Sequence, residues 1–155
     1  MFVRSDLAAS IKEIARTNVP IGVEVLWLRF SGILPGGRAL LLGAAYCSPQ
    51  GSSVYGCSDG SGLACGDVPD AVFGSITGEL DRLRREGDEI LLAGDFNART
   101  ASILELPEAF TGVGHPRLKE PRDSIDTGVN CFGRRLIEMS KETGLAIVNG
   151  RTPTR

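Results

Sequence analysis

The stretch EILLAGDFN at residues 89–97 decides the fold prediction, because it changes abruptly from apolar to polar. Residues 89–95 (EILLAGD) form a short segment that is apolar until Gly94 and Asp95, which predicts a buried β-strand. Residues 94–97 (GDFN) then place polar side chains directly after that strand. Ligands of α/β proteins usually bind at such strand ends. The sequence therefore predicts a functional site at the carboxyl end of this strand.

Helical and extended patterns alternate upstream of this stretch. Residues 7–16 carry apolar side chains at helical spacing behind Asp6, which predicts a short helix with Asp6 as its N-cap. Residues 22–30 (GVEVLWLRF) and 39–46 (ALLLGAAY) predict two buried strands. The Pro-Gly-Gly turn at residues 35–37 joins them as a hairpin.

A loop and a helix separate this hairpin from EILLAGDFN. Residues 47–66 are rich in Gly, Ser and Cys and predict a long surface loop. One apolar stripe then predicts an amphipathic helix that begins after Asp67 and ends at Gly87. The stripe comprises Val68, Val72, Ile76, Leu80 and Leu83, and the opposite, polar side comprises Glu79, Arg82 and Glu86.

Downstream of the strand the chain is mostly irregular until Asn130, which predicts the cap of a second helix. Phe132, Leu136 and Met139 line one side of this helix, Gly144 ends it, and residues 145–148 predict a fourth strand. Alternating strands and helices define the α/β class. The chain, residues 1–155, is predicted to form one domain.

Composition and charge limit the possible functions. The chain is 42% hydrophobic and 23% charged, the balance of a soluble globular protein. Residues 1–110 carry 9 Lys/Arg against 14 Asp/Glu, and residues 111–155 carry 8 against 5. A basic final third suits a phosphodiester substrate, although solvated helix faces also cause Arg clusters. Without a secretory or membrane-spanning pattern, we expect an intracellular protein, nuclear or cytoplasmic.

Cysteine and histidine spacing argues against a zinc site. The four cysteines (Cys47, Cys57, Cys65 and Cys131) contain no Cys-x-x-Cys pair, and His115 is the chain's one histidine. Free thiols are the expected state. We interpret His115, in a Gly-His-Pro loop sequence, as structural or exposed rather than catalytic.

Asp95 and Asn97 are the candidate catalytic residues of the predicted site. Side chains alternate along an extended segment, so both are expected on one side, with Phe96 anchored in the core. Asp95 could accept the proton of an attacking water, and Asn97 could donate to a phosphate oxygen. Neither neutralises a phosphate, so such a site would need Mg²⁺ or Mn²⁺. The alternative interpretation is a plain turn, in which Asp and Asn bond their own backbone.

Three motifs resemble one family. GDFNA at residues 94–98 resembles the central motif of the endonuclease/exonuclease/phosphatase superfamily, whose DNase I-like fold includes apurinic/apyrimidinic endonucleases and the endonuclease domains of non-LTR retrotransposons. YCSP at residues 46–49 is similar to that family's Tyr-x-x-Pro. RDSID at residues 122–126, NCFGRRL at 130–136, and the Gly-Leu and Asn-Gly-Arg runs near the C-terminus are similar to retrotransposon-type members.

The resemblance implies a divalent-metal-dependent phosphodiesterase acting on DNA, with Mg²⁺ or Mn²⁺ as cofactor. It implies that Tyr46 contacts the scissile phosphate through its hydroxyl and that Asp95 and Asn97 join it in catalysis. It further implies part of a four-layer α+β sandwich, and a place in a larger polyprotein that carries a reverse transcriptase. Asn130 and the neighbouring Arg134 are interpreted as a helix cap and an exposed side chain.

Features of the family that have no counterpart in this sequence limit the expected activity. The family's metal-binding Asn and Glu and its Ser-Asp-His run are not matched, so the metal ligands are unknown and the sandwich is expected to lack its N-terminal and C-terminal strands. We therefore expect no turnover by the isolated chain. Plasmid nicking that requires Mg²⁺ and disappears in Asp95→Ala would contradict this expectation. Two alternatives remain: a non-catalytic remnant or interaction domain of the same fold, and a phosphatase or phospholipase-type phosphoesterase.

Overall fold

The computed structural model describes residues 4–14, 22–56, 66–105 and 122–150. Its elements in chain order are a 3₁₀ segment Ser5–Ser10, β1 (Ile11–Ile14), β2 (Val23–Phe30), β3 (Leu40–Cys47), α1 (Val68–Leu83), β4 (Glu89–Asp95) and α2 (Cys131–Thr143). Two further 3₁₀ turns lie at Pro35–Gly37 and Ser53–Tyr55.

The four strands form one mixed sheet in the order β1-β2-β3-β4. The β1–β2 and β2–β3 pairs are antiparallel, which confirms the predicted hairpin, and β3–β4 is parallel. A parallel neighbour requires a crossover connection, and α1 lies in that connection. The described residues thus form a mixed α+β fold.

The two helices contribute to a core on one face of the sheet. The predicted stripe of α1 is buried and packs with Val23, Val25 and Trp27 of β2. Gly43 of β3 makes room for the indole, because a Cβ there would lie 2.6 Å from Trp27. Deletion of fully buried side chains of this size typically costs about 3–5 kcal/mol. This core therefore fixes the position of β3 and β4 beneath the helices.

Helix α2 begins and ends as its sequence predicts. The Asn130 side chain accepts a hydrogen bond from the Gly133 amide, and Gly144 adopts the left-handed conformation at the C-cap. Phe132 is fully buried against Phe73 of α1, with ring centroids 5.8 Å apart in an edge-on arrangement. Phe96 stacks on Phe73 at 6.4 Å. The prediction that Phe96 anchors the GDFN segment in the core is therefore confirmed.

The prediction that Glu79 lies on the polar side of α1 is wrong. Glu79 is 6% exposed, and its carboxylate accepts a 2.7 Å hydrogen bond from the Trp27 indole N–H. A buried indole N–H needs an acceptor, and Glu79 lies on the helix beside it. The predicted helix end is also displaced: α1 ends at Leu83, and Gly87 (φ +80°) lies in the turn before β4. Asp67 occupies the N-cap position without a side-chain cap bond.

The helix predicted at residues 7–16 does not form in the described residues. Ser5–Ser10 is a 3₁₀ segment in which Asp6 pairs with Arg4 instead of capping a helix, and Ile11–Ile14 is strand β1. β1 pairs with Trp27–Phe30 of β2, so a long-range ladder prevails over local helical spacing. Positions 15 and 16 lie outside the described residues.

Two strand predictions near the C-terminal half are corrected. β4 forms where predicted but is not buried, because it lies at the edge of the sheet and Leu91 is 46% exposed. Residues 145–148 form no strand. There the Ile147 amide donates to the Glu105 carboxylate at 2.8 Å instead of to a sheet neighbour.

One face of the sheet lacks a helical layer within the described residues. It is formed by the side chains of β2, β3 and β4 that alternate away from α1, including Leu26, Leu42, Ala44 and Leu91. Leu26, Leu42 and Ala44 are half-buried and Leu91 is exposed, although Leu28 and Phe30 at the far end of β2 are buried on this face. Val25 and Leu41 on the helical face are fully buried. This face, the open sheet face, carries Tyr46 at one end. In the part of the chain that the structure describes, no helix has the length and apolar character needed to cross a membrane.

Candidate active site

Tyr46 and Asp95 are direct neighbours at the carboxyl ends of two parallel strands. The β3–β4 register pairs Tyr46 with Asp95, so the backbones of the two residues lie about 5 Å apart. Tyr46 is 46% exposed, and Asp95 is exposed as well. At this end of the sheet the structure thus places the backbones of two predicted site residues side by side.

Gly94 is required where β4 approaches β3. Its φ is +145°, and a Cβ at this position would lie 1.8 Å from the carbonyl oxygen of Ala45. No side chain fits at that distance, so only glycine lets Asp95 reach its place beside Tyr46. The first residue of the GDFN motif therefore has a backbone role.

The extended segment on which Asp95 and Asn97 are expected to share one side ends at Asp95. Asn97 adopts a left-handed conformation (φ +46°), which ends the alternation of the strand. Its backbone N–H donates to Asp95 Oδ1 at 2.9 Å, and its side-chain Nδ2 donates to the carbonyl of Cys47 at 2.8 Å. Asp95 thus closes an Asx-type turn, and the Asn97 amide ties β4 to the end of β3. Asn97 is brought near the site, but its amide is engaged by backbone.

Asn130 contacts the segment next to the candidate site, a role that the sequence does not predict. Its sequence pattern predicts only a helix cap. Besides capping α2, its Oδ1 accepts from the Arg99 amide at 3.0 Å, and its Nδ2 donates to the Asn97 carbonyl at 2.9 Å. The NCFGRRL run contains a second signal, because a Cβ on Gly133 would lie 1.7 Å from the Arg99 carbonyl oxygen. The start of α2 is therefore fitted closely against residues 97–99.

Arg122, the first residue of the RDSID run, is structural in this fold. It is 4% exposed and lies 3.4 Å from the fully buried Glu105 carboxylate. It also donates to Thr100 Oγ1 at 2.8 Å and to the Ile103 carbonyl at 2.7 Å. Asp126, the last residue of the RDSID run, forms an ion pair with the exposed Arg99 at 3.3 Å. The RDSID run therefore supports the segment that follows the site.

The pKa of the buried Cys47 thiol is raised by its surroundings. Burial, and next the negative charge of Asp95, raise the pKa of Cys47 from 9.0 to about 12. Burial, with smaller effects of Cys47 and Tyr46, likewise raises the pKa of Tyr55 to about 12. Cys47 is therefore a protonated, weakly nucleophilic core residue at neutral pH.

A measurable consequence is loss of stability in alkali. Between pH 9 and 12 the unfolded thiol ionises while the folded thiol keeps its proton, so the unfolded state binds fewer protons and stability falls as pH rises. We expect a loss of about 2 kcal/mol by pH 10.5 from this group. Urea titrations at several pH values measure it. Cys47→Ala should remove this part of the fall in unfolding free energy. If the unfolding free energies of wild type and variant fell in parallel with pH, the fall would not come from the Cys47 thiol.

The described residues contain no cluster of acidic, histidine or cysteine ligands. Within residues 4–14, 22–56, 66–105 and 122–150, no group of three or more His, Cys, Asp or Glu side chains lies together as a metal site requires. His115, Cys57 and Cys65 lie outside these ranges, so the predictions made for them are not addressed by the structure.

Comparison of the chain with protein-family models, characterised proteins and solved structures gives no match.

Proposed function

We propose that Tyr46 and Asp95 form part of a phosphodiester-binding site in a hydrolase of the endonuclease/exonuclease/phosphatase class, with DNA as the substrate. The observation that carries this proposal is the Tyr46–Asp95 register at the ends of two parallel strands. It places the backbones of two exposed residues from separate motifs, 49 positions apart, beside each other.

The two side chains supply complementary chemistry. The Tyr46 phenol can donate to a non-bridging phosphate oxygen, and the Asp95 carboxylate can accept the proton of an attacking water. Because the Asn97 amide is bonded to Cys47, Asn97 holds the turn instead of contacting substrate. Arg99, exposed two residues further on, is the cationic group that this segment offers to a polyanion. Mg²⁺ or Mn²⁺ as cofactor and a reverse transcriptase polyprotein as partner belong to the same proposal, through the resemblance of the motifs.

The open sheet face supports the sandwich architecture that the class requires. An apolar sheet face is stable when another layer covers it. The half-exposed leucines and alanines of β3 and β4 are suited to contact with such a layer. A second sheet on this face would lie next to Tyr46 and enclose the site on that side.

A non-catalytic interaction domain of the same fold is the second candidate function. One observation favours it: the Asn97 side chain donates to the Cys47 carbonyl and so holds the backbone. A phosphatase or phospholipase-type phosphoesterase is the third candidate. It would use the same phenol and carboxylate on a smaller phosphate ester.

Binding of a labelled DNA duplex in the presence of Mg²⁺, followed by fluorescence anisotropy, distinguishes these functions. We expect saturable binding that weakens about tenfold or more in Tyr46→Phe, because a hydrogen bond to a charged group contributes about 1.5–3 kcal/mol. Val54→Ala, at an exposed residue eight positions further on, is the matched surface control. Displacement of the labelled DNA by inositol phosphate at lower concentrations than by unlabelled DNA would favour the phosphatase. Equal affinities of wild type and Tyr46→Phe would contradict the proposed site.

A further inference from the structure

Asn130 makes more hydrogen bonds than a helix cap needs. Capping α2 uses one bond, from the Gly133 amide to Oδ1 at 2.7 Å. The same oxygen also accepts from the Arg99 amide at 3.0 Å, and Nδ2 donates to the Asn97 carbonyl at 2.9 Å. Two N–H donors on one side and a carbonyl on the other fix the orientation of the carboxamide. The two additional bonds both reach the segment that follows β4.

That segment is held in a conformation that needs support. Asn97 has a φ of +46°, which non-glycine residues adopt rarely and at a cost, although asparagine adopts it more readily than most. Its bonds offset this cost: Nδ2 to the Cys47 carbonyl, and its own carbonyl to Asn130. The Asn130 backbone amide further donates to the Arg99 carbonyl at 3.2 Å. Residues 97–99 are therefore clamped between the end of β3 and the start of α2.

The clamp ends on the Asp95 carboxylate. The Asn97 N–H donates to Asp95 Oδ1, and the carbonyl of the same residue accepts from Asn130 Nδ2. Both bonds hold the backbone of the Asn97 turn, so we expect that releasing the turn at its carbonyl loosens its contact with the Asp95 carboxylate. Asp95 and Asn130 are 35 positions apart, and two consecutive hydrogen bonds through Asn97 join them.

We propose that Asn130 is a positioning residue that fixes the Asp95 carboxylate through the Asn97 turn, in addition to capping α2. The proposal deepens, and rests on, the proposed role of Asp95 in a phosphodiester site. It assigns the carboxamides of Asn97 and Asn130 to holding the reactive carboxylate and not to contact with substrate. Asn130→Asp separates the two roles. Aspartate can still cap the helix and accept from the Gly133 and Arg99 amides. It cannot donate to the Asn97 carbonyl, because it has an oxygen in place of Nδ2.

The test is the χ1 rotamer of Asp95, measured in solution by three-bond NMR couplings in wild type, Asn130→Asp and Asn130→Ser. Serine caps a helix but is too short to reach Asn97. We expect one dominant Asp95 rotamer in wild type and averaged couplings in both variants, with amide-exchange protection of α2 retained. Asn149→Asp, the same chemical change at an exposed residue, should leave the couplings unchanged.

Two results would overturn the proposal. One is an Asp95 rotamer that stays fixed in both variants. The other is averaged Asp95 couplings that appear only together with loss of amide-exchange protection in α2. In that case Asn130 would act only as the cap of the helix. The rotamer measurement uses no substrate, so its failure is distinct from a failure of Tyr46-dependent DNA binding. Retained DNA binding with an unchanged rotamer would remove the role of Asn130 and leave the phosphodiester site in place.

Discussion

Replacement of Gly94 by alanine is expected to lower the free energy of unfolding by roughly 2–6 kcal/mol. Forcing a side chain into a filled space costs about 1–3 kcal/mol, and a strained backbone conformation costs about as much again. Both conditions apply at Gly94, where φ is +145° and a Cβ would lie 1.8 Å from the Ala45 carbonyl oxygen. Urea denaturation followed by the fluorescence of Trp27, a fully buried residue and the chain's one tryptophan, measures the change.

Gly74→Ala is the matched control for this substitution. Gly74 lies in α1 without a positive φ, and a methyl group added there would lie within 4 Å of no other described part of the chain, apart from the helix itself. Alanine there should raise stability by about 0.5–1 kcal/mol, because it favours the helix. If Gly94→Ala were as well tolerated as Gly74→Ala, the close contact between β3 and β4 at the site would be wrong.

Arg122→Ala is expected to destabilise the protein by about 3–5 kcal/mol, because it leaves the Glu105 carboxylate buried without its ion-pair partner. Both side chains are almost completely inaccessible, at 2% and 0% exposed, and Glu105 also accepts from the Ile147 amide. Arg122 therefore joins the segment after the site to the chain that follows α2. Thermal and urea denaturation of the variant test this expectation.

Arg99→Ala provides the comparison for Arg122. Arg99 forms an ion pair with Asp126, but its side chain is 69% exposed. Exposed pairs contribute about 0–1 kcal/mol, so Arg99→Ala should change stability little. Similar losses for both arginines would show that Arg122 does not stabilise the fold through a buried pair.

The elements that the sequence predicts correctly are those whose pattern is local. β2 and β3 are apolar strands on either side of a Pro-Gly-Gly turn, and α2 carries its own cap at each end. The N-terminal segment is wrongly predicted as a helix because Ile11 and Ile14 satisfy helical spacing and also fit a strand. Pairing with β2 decides between the two, and that contact is not visible in a ten-residue pattern.

Long-range contacts also explain what sequence reasoning misses at the site. The adjacency of Tyr46 and Asp95 depends on the register of a parallel pair whose strands are joined through α1. No local pattern shows that Glu79 and Arg122 are buried, because each is held by a partner distant in sequence, Trp27 and Glu105. At Asn97 the strand pattern does not continue, because the Asp95 side chain accepts from the Asn97 N–H and forms a turn.

The central claim is that Tyr46 and Asp95 together bind a phosphodiester. Titration of the ¹⁵N-labelled chain with a short DNA duplex and Mg²⁺, followed by amide chemical shifts, tests it most directly. We expect the largest shifts at residues 45–47 and 94–99, with a clear reduction in Tyr46→Phe. Shifts confined to other parts of the chain, or no shifts at saturating DNA, would contradict a phosphodiester site at the ends of β3 and β4.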